Sequence, residues 1–122
     1  MKNLVVLGAG TAGTMVVNKL RPRLEASEWA ITVVDPSPDH HYQPGYLFIP
    51  FGTYQPDEVI KPTKSFIPDG VDLVMGEVEL VETDTDEVVL VDGTRLPYDQ
   101  LIIATGTHPR RAETEGLDSD DY

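Results

Sequence analysis

The stretch Gly8-Ala9-Gly10-Thr11-Ala12-Gly13 limits what this chain can fold into more than any other, because it sets three glycines in Gly-x-Gly-x-x-Gly spacing between two apolar segments. Before it, residues 4–7 are a continuous run of leucine and valine, the pattern of a strand covered on both faces. After it, Ala12, Val16, Leu20 and Leu24 recur every four residues with Met15 and Val17 beside them, which predicts an amphipathic helix. Pro22 kinks that helix or ends it near Arg21. Residues 31–34 form a second β-branched run, and the helix between the two runs is long enough for a right-handed crossover, so the strands should be parallel neighbours. In that setting Gly8 permits a tight turn, Gly10 lets a diphosphate approach the backbone, and Gly13 lets the helix pack on the strand. The N–H groups and partial positive charge at the helix start suit two phosphates. Asp35 ends the second strand 22 residues after Gly13. A carboxylate there accepts hydrogen bonds from adenosine ribose hydroxyls and disfavours a 2′-phosphate. The motif therefore predicts an adenine dinucleotide as ligand.

Beyond Asp35 the texture changes. Prolines at 36, 38, 44, 50, 56, 62 and 68 break the chain and leave room for one short helix at most, near residues 57–60. A loop region of that length is usually functional, and Tyr42, Tyr46, Phe48, Phe51 and Tyr54 offer apolar surface to order it. Strands are expected over 71–75, 77–81, 87–91, 94–96 and 101–104. Asp92-Gly93 reads as a two-residue hairpin turn in which both positions need positive φ. Together these runs predict an antiparallel meander. Glu77, Glu79, Glu82, Asp84 and Asp86 interleave with Val78, Leu80 and Val81, which reads as a solvated face and an acidic turn. The last stretch, from Arg110 on, carries Glu113, Glu115, Asp118, Asp120 and Asp121 with almost no apolar periodicity and is expected to fray.

With 122 residues, 40% of them apolar, the chain can bury one modest core and is one domain or a piece of one. Its net charge of −12 opposes nucleic acid and anionic lipid as partners. The absence of cysteine excludes disulfides, thiolate metal sites and a redox dithiol within these residues. His40 and His41 are adjacent in an extended loop and should point apart, and no acid is spaced as a third ligand, so no metal site is expected there or at His108. No Gly-x-Ser-x-Gly elbow or paired-carboxylate site suggests hydrolysis. The opening apolar run is too short and too glycine-rich for a leader, and no run approaches the roughly 18 to 20 apolar residues of a membrane span. These features predict a cytoplasmic or membrane-peripheral protein without a signal peptide.

An NAD-binding unit would continue from the second strand through another helix to a third parallel strand. Here a proline-rich loop leads into the meander and then to Tyr98-Asp99-Gln100-Leu101-Ile102-Ile103-Ala104-Thr105-Gly106, a buried strand closed by a small residue, a hydroxyl and a glycine. That order resembles the FAD domain of the two-dinucleotide-binding-domain flavoprotein reductases, up to about His108. The fold it implies is α/β, a Rossmann-like FAD-binding domain whose parallel sheet carries a β-meander insertion and is incomplete. Residues 1–108 would form that domain and 109–122 an acidic tail or linker. Within the superfamily, His41-Tyr42-Gln43-Pro44-Gly45 and Phe48-Ile49-Pro50-Phe51-Gly52 look most like sulfide:quinone oxidoreductases, with Lys61-Pro62-Thr63 and Ile67-Pro68-Asp69-Gly70-Val71 adding to the likeness.

The resemblance implies FAD contacts from Gly8, Gly10, Thr11, Ala12 and Gly13, from Asp35 at the ribose, and from Gln43. It implies that Val78 holds the adenine by its backbone, that Ala104, Thr105 and Gly106 line the cofactor, and that His41 or Tyr42 shapes the flavin pocket. Such enzymes pass electrons from sulfide through a reactive cysteine pair to FAD and on to a membrane quinone. With no cysteine, no second nucleotide domain and no catalytic residue of its own, this chain is expected to be an amino-terminal fragment that does not turn over alone. Peripheral membrane association would come through regions beyond it, and the oligomeric state is open, a homo-oligomer included. Two other readings stand beside this one. The first is an NAD(P)H-dependent reductase of the type II NADH dehydrogenase or ferredoxin reductase kind, and the second is a dinucleotide-binding module without catalysis.

Overall fold

The computed structural model describes residues 1–117. Strand β1 (Lys2–Leu7) leads through the glycine turn into helix α1 (Thr11–Leu20), and Pro22 in the 3-10 turn that follows ends the helix as expected. Strand β2 (Trp29–Asp35) pairs parallel to β1, with Leu7 beside Val34. Strands β3 (Asp39–His41) and β4 (Ile60–Pro62) then form a short antiparallel ribbon. Strand β5 (Asp72–Met75) follows, and after it come β6 (Val78–Glu82), β7 (Glu87–Leu90), β8 (Arg95–Pro97) and β9 (Gln100–Ile103). The main sheet has the order β5-β2-β1-β9 and every pair in it is parallel.

Alternate residues of a strand face opposite sides of a sheet, and β1 is buried on both. Leu4 and Val6 join Val17 of α1, Ile31 and Val33 in one core; Val5 and Leu7 join Val34, Val88 and Leu90 in the other. One helix therefore covers one face, and the β6-β7-β8 meander covers the other. Burying β1 on both sides is what its unbroken apolar run requires.

Several expectations need correction. The meander contains only β6, β7 and β8, because β5 and β9 leave it to flank the parallel sheet. A third parallel strand therefore does follow β2, giving the order third, second, first, fourth of a Rossmann half-sheet. What is missing is the helix: the β2-to-β5 crossover consists of the β3-β4 ribbon and three 3-10 turns at Gln43–Phe48, Pro56–Glu58 and Thr63–Phe66. More of that region is ordered than a single short helix near 57–60. The Asp92-Gly93 hairpin forms, but only Gly93 takes a positive φ, of 87°. The loop spans Val91 to Thr94, closed by Leu90 N–H donating to the Thr94 carbonyl at 2.9 Å. On α1 the buried stripe runs through Gly13, Thr14 and Val17, while Ala12 and Met15 are exposed. Glu82 is not merely solvated, since it and Glu87 both pair with Arg95. Of the expected tail, Arg111–Glu113 is a 3-10 turn with Glu113 paired to Arg110. Asp118, Asp120 and Asp121 lie outside the described residues.

Candidate dinucleotide-binding cleft

Parallel pairing brings the ends of β1, β2 and β9 to one edge of the sheet, and hydrogen bonds fasten them there. Gly8 N–H donates to the Val34 carbonyl at 2.7 Å, and Ala104 N–H donates to the Leu7 carbonyl at 2.8 Å. The carboxyl edge of an open parallel sheet is where such folds bind ligands.

The three glycines of the turn face different surroundings. At Gly8, φ is 96° and an added Cβ would lie 2.4 Å from the Ala104 carbonyl oxygen. At Gly13 it would lie 1.8 Å from the Gly8 carbonyl oxygen, so the helix can approach the strand only without a side chain there. At Gly10 nothing lies within 4 Å of such an atom. The first two glycines are required by packing, and the third leaves a cradle open to solvent. Gly10 also caps α1 without a side-chain hydrogen bond, and the first turn carries no acid. The first-turn N–H groups, which have no intrahelical acceptor, are therefore left for an anion. Thr14 does not compete for that space, because its Oγ1 donates back to the Gly10 and Thr11 carbonyls at 2.9 and 3.1 Å.

Asp35 accepts from Ala9 N–H at 2.6 Å through Oδ2 and from Ser37 N–H at 2.8 Å through Oδ1. Each carboxylate oxygen has a second acceptor site, so a hydroxyl pair can still be bound. A cleft of about 370 Å³ is lined by Gly8, Gly10, Thr11, Ala12, Asp35, Gln43, Ala104, Thr105, Gly106 and Thr107. The expected site residues thus converge, with two exceptions. Gly13 sits beneath the turn, and Val78 packs beside the core that holds Val5 and Leu90, two residues after Gly76, whose N–H meets the Asp35 carbonyl. Neither His41 nor Tyr42 lines the cleft; His41 Nδ1 is instead bonded to the Tyr46 hydroxyl.

One unexpected residue lines the cleft, and another braces the glycine turn beside it. Thr107 lines the cleft, and the visible signal for it is a hydroxyl directly after Gly106. His40, which the sequence brings up only as a metal ligand, bonds the Ala9 carbonyl through Nδ1 at 3.0 Å. A groove of about 680 Å³ along β5 is larger than the cleft and carries Asp69 and Asp72, but neither the glycine turn nor the start of α1 borders it. Among the described residues no group of three His, Cys, Asp or Glu could hold a metal ion, and no helix is long and apolar enough to cross a membrane.

A parallel sheet with this strand order and a glycine turn at its carboxyl edge defines a Rossmann-type α/β protein. The chain belongs to the pyridine nucleotide-disulphide oxidoreductase family, whose model matches residues 2–122. It is 30% identical over 114 residues to a mitochondrial sulfide:quinone oxidoreductase of Dictyostelium discoideum, covering 93% of this chain and 25% of that protein. It is also 30% identical over 118 residues to a type II NADH:quinone oxidoreductase of Staphylococcus aureus, covering 95% of this chain and 29% of that one. The crystal structure of the Aquifex aeolicus sulfide:quinone oxidoreductase superimposes with a TM-score of 0.75 at 23% identity, over 88% of this chain and 25% of that chain. That last likeness is one of fold. The chain spans about a quarter of the length of these relatives.

Proposed function

We propose that residues 1–108 are the FAD-binding portion of a flavin-dependent oxidoreductase that takes electrons from sulfide and passes them to a quinone, with 109–122 leading onward as an acidic linker. The observation that supports this most is the cleft, where an open cradle over Gly10, the start of α1 and the Asp35 carboxylate adjoin one another. The first-turn N–H groups would hold the diphosphate and orient it. Asp35 would accept from the ribose hydroxyls, and the Val78 backbone would meet the adenine. Gln43, Ala104, Thr105 and Gly106 would line the path toward the ring. Bound there, FAD supplies a ring that accepts two electrons from a donor and releases them to an acceptor. The loop-built crossover and the meander over the second face favour FAD over NAD.

A quinone acceptor is supported by the Dictyostelium discoideum and Staphylococcus aureus relatives, since each is named for one. Sulfide as donor is supported by the likeness of His41-Tyr42-Gln43-Pro44-Gly45, and the cysteines that reaction needs would lie beyond these residues. A second reading, NADH as donor, is favoured by the equal identity to the Staphylococcus aureus relative. Peripheral attachment to a membrane would also come from regions beyond these residues.

The deciding experiment records the visible absorbance of the purified intact protein on adding sulfide and, separately, NADH. Bleaching of the flavin by sulfide is the expected result, whereas bleaching by NADH alone transfers the assignment to the second reading. A colourless protein that neither FAD nor NAD protects against unfolding overturns both.

A further inference from the structure

Ala9 is buried between Gly8 and Gly10, and side chains from outside the turn hold both of its backbone polar groups. Its N–H donates to Asp35 and its carbonyl faces His40 Nδ1. Because a carbonyl can only accept, Nδ1 must carry the proton and donate. His40 is itself braced. Its ring lies 4.4 Å from that of Phe66, whose carbonyl accepts from Asn18 of α1 at 2.8 Å. Its backbone stands opposite Lys61 in the β3-β4 ribbon, which Thr63 N–H ties to the Pro38 carbonyl at 2.7 Å.

The Ala9 carbonyl and the Gly10 N–H belong to one peptide plane, and in a trans peptide they point in opposite directions. Gly10 lines the cleft and His40 does not. Holding the carbonyl on His40 therefore fixes the direction of the Gly10 N–H, which points away from His40. Without that hold, little opposes rotation of the plane, because glycine tolerates nearly any φ. A rotated plane would present a carbonyl oxygen to the phosphates.

We propose that His40 is a positioning residue that fixes the Ala9-Gly10 peptide plane so that an N–H, and not a carbonyl, faces a bound diphosphate. This rests on the proposal that the cleft takes FAD. It also gives the loop-built crossover a role, since the ribbon carries His40 to the glycine turn. Nothing in the glycine motif itself requires a histidine from this region.

The test uses the intact protein, its His40→Leu, His40→Gln and His40→Asn variants, and calorimetric titration with FAD, ADP and adenosine. Leucine keeps apolar contact with Phe66 but cannot donate. Glutamine places its amide nearer the Nε2 position. Asparagine places an N–H near Nδ1. The Leu and Gln variants should bind FAD and ADP about tenfold more weakly, which corresponds to about 1.4 kcal/mol, and bind adenosine as wild type does. The Asn variant should recover most of the loss. In ligand-free protein, the Gly10 amide should give one sharp NMR resonance in wild type and the Asn variant, and a broadened or doubled one in the Leu and Gln variants. Unchanged ADP affinity in the Leu and Gln variants, or an equal loss for adenosine, overturns the proposal and leaves the FAD reading standing. A wild-type protein that binds neither FAD nor ADP overturns both.

Discussion

At Gly13 an added Cβ would meet the Gly8 carbonyl oxygen at 1.8 Å, and backbone on both sides leaves no flexible atom to yield. Gly13→Ala should therefore destabilise the fold by about 3 kcal/mol, as overpacking of a tight contact does. The shift can be read from Trp29 fluorescence in denaturant. Gly10→Ala makes the opposite prediction, since φ there is −72° and the space is open. It should change stability by no more than about 0.5 kcal/mol yet weaken FAD by more than about tenfold, because the methyl group occupies the cradle. A Gly10→Ala protein that binds FAD normally would show that the diphosphate does not lie over that residue. Asp35→Asn leaves one acceptor oxygen for the two N–H groups of Ala9 and Ser37. That change should cost about 1 to 2 kcal/mol in stability as well as weakening adenosine. The glycine spacing and the distance from Gly13 to Asp35 make these roles legible in the sequence. His40 is not legible in the same way, because its role depends on a ribbon that folds back over the turn.

Strands β5 and β9 are as apolar as their meander neighbours, and period alone tells that a run is a strand, not which strand it joins. The usual sign of a parallel partner is an intervening amphipathic helix. Here a ribbon and 3-10 turns make that crossover, so the sign is absent although the parallel strand is present. The Asp92-Gly93 hairpin is legible, but its turn type is not, because Asp92 serves as an acceptor there. The Thr94 backbone N–H, which donates to Asp92 Oδ1 at 2.9 Å, holds the Asp92 carboxyl below its ordinary value of 3.8. A carboxyl lowered in the folded state adds stability above its unfolded value and loses it as pH falls through the folded value. The protection of the Leu90 and Thr94 amides, read as the ratio of intrinsic to observed hydrogen-exchange rate, should therefore fall on acidification from about pH 5 to about pH 3. Asp92→Asn keeps the acceptor oxygen and does not titrate, so it should show less of this change. An identical response in the two proteins would remove Asp92 from the stability of the hairpin.

Across the whole molecule, one uncharged and partly exposed stretch stands out against the net charge. The chain carries −12, yet from Tyr42 to Pro56 no side chain is charged. Within that stretch Leu47 and Phe51 are 71% and 81% exposed, while Phe48 and Tyr54 rest on one another at 5.9 Å between ring centroids. Exposed apolar surface of this kind on a chain spanning a quarter of its relatives' length suits burial against further polypeptide. If residues 1–117 are prepared alone, two forces should then oppose each other. Like charge keeps copies apart, and the uncharged segment draws them together. Screening shortens the reach of the repulsion from about 30 Å at 0.01 M salt to about 3 Å at 1 M without weakening apolar contact. Sedimentation should accordingly show association that rises with salt, the reverse of what ion pairing would produce. Leu47→Gln with Phe51→Ser should return the protein to monomer at every salt concentration, since neither side chain contributes to the buried core. Association that falls as salt rises, or that the double variant retains in full, would place the contact elsewhere on the surface.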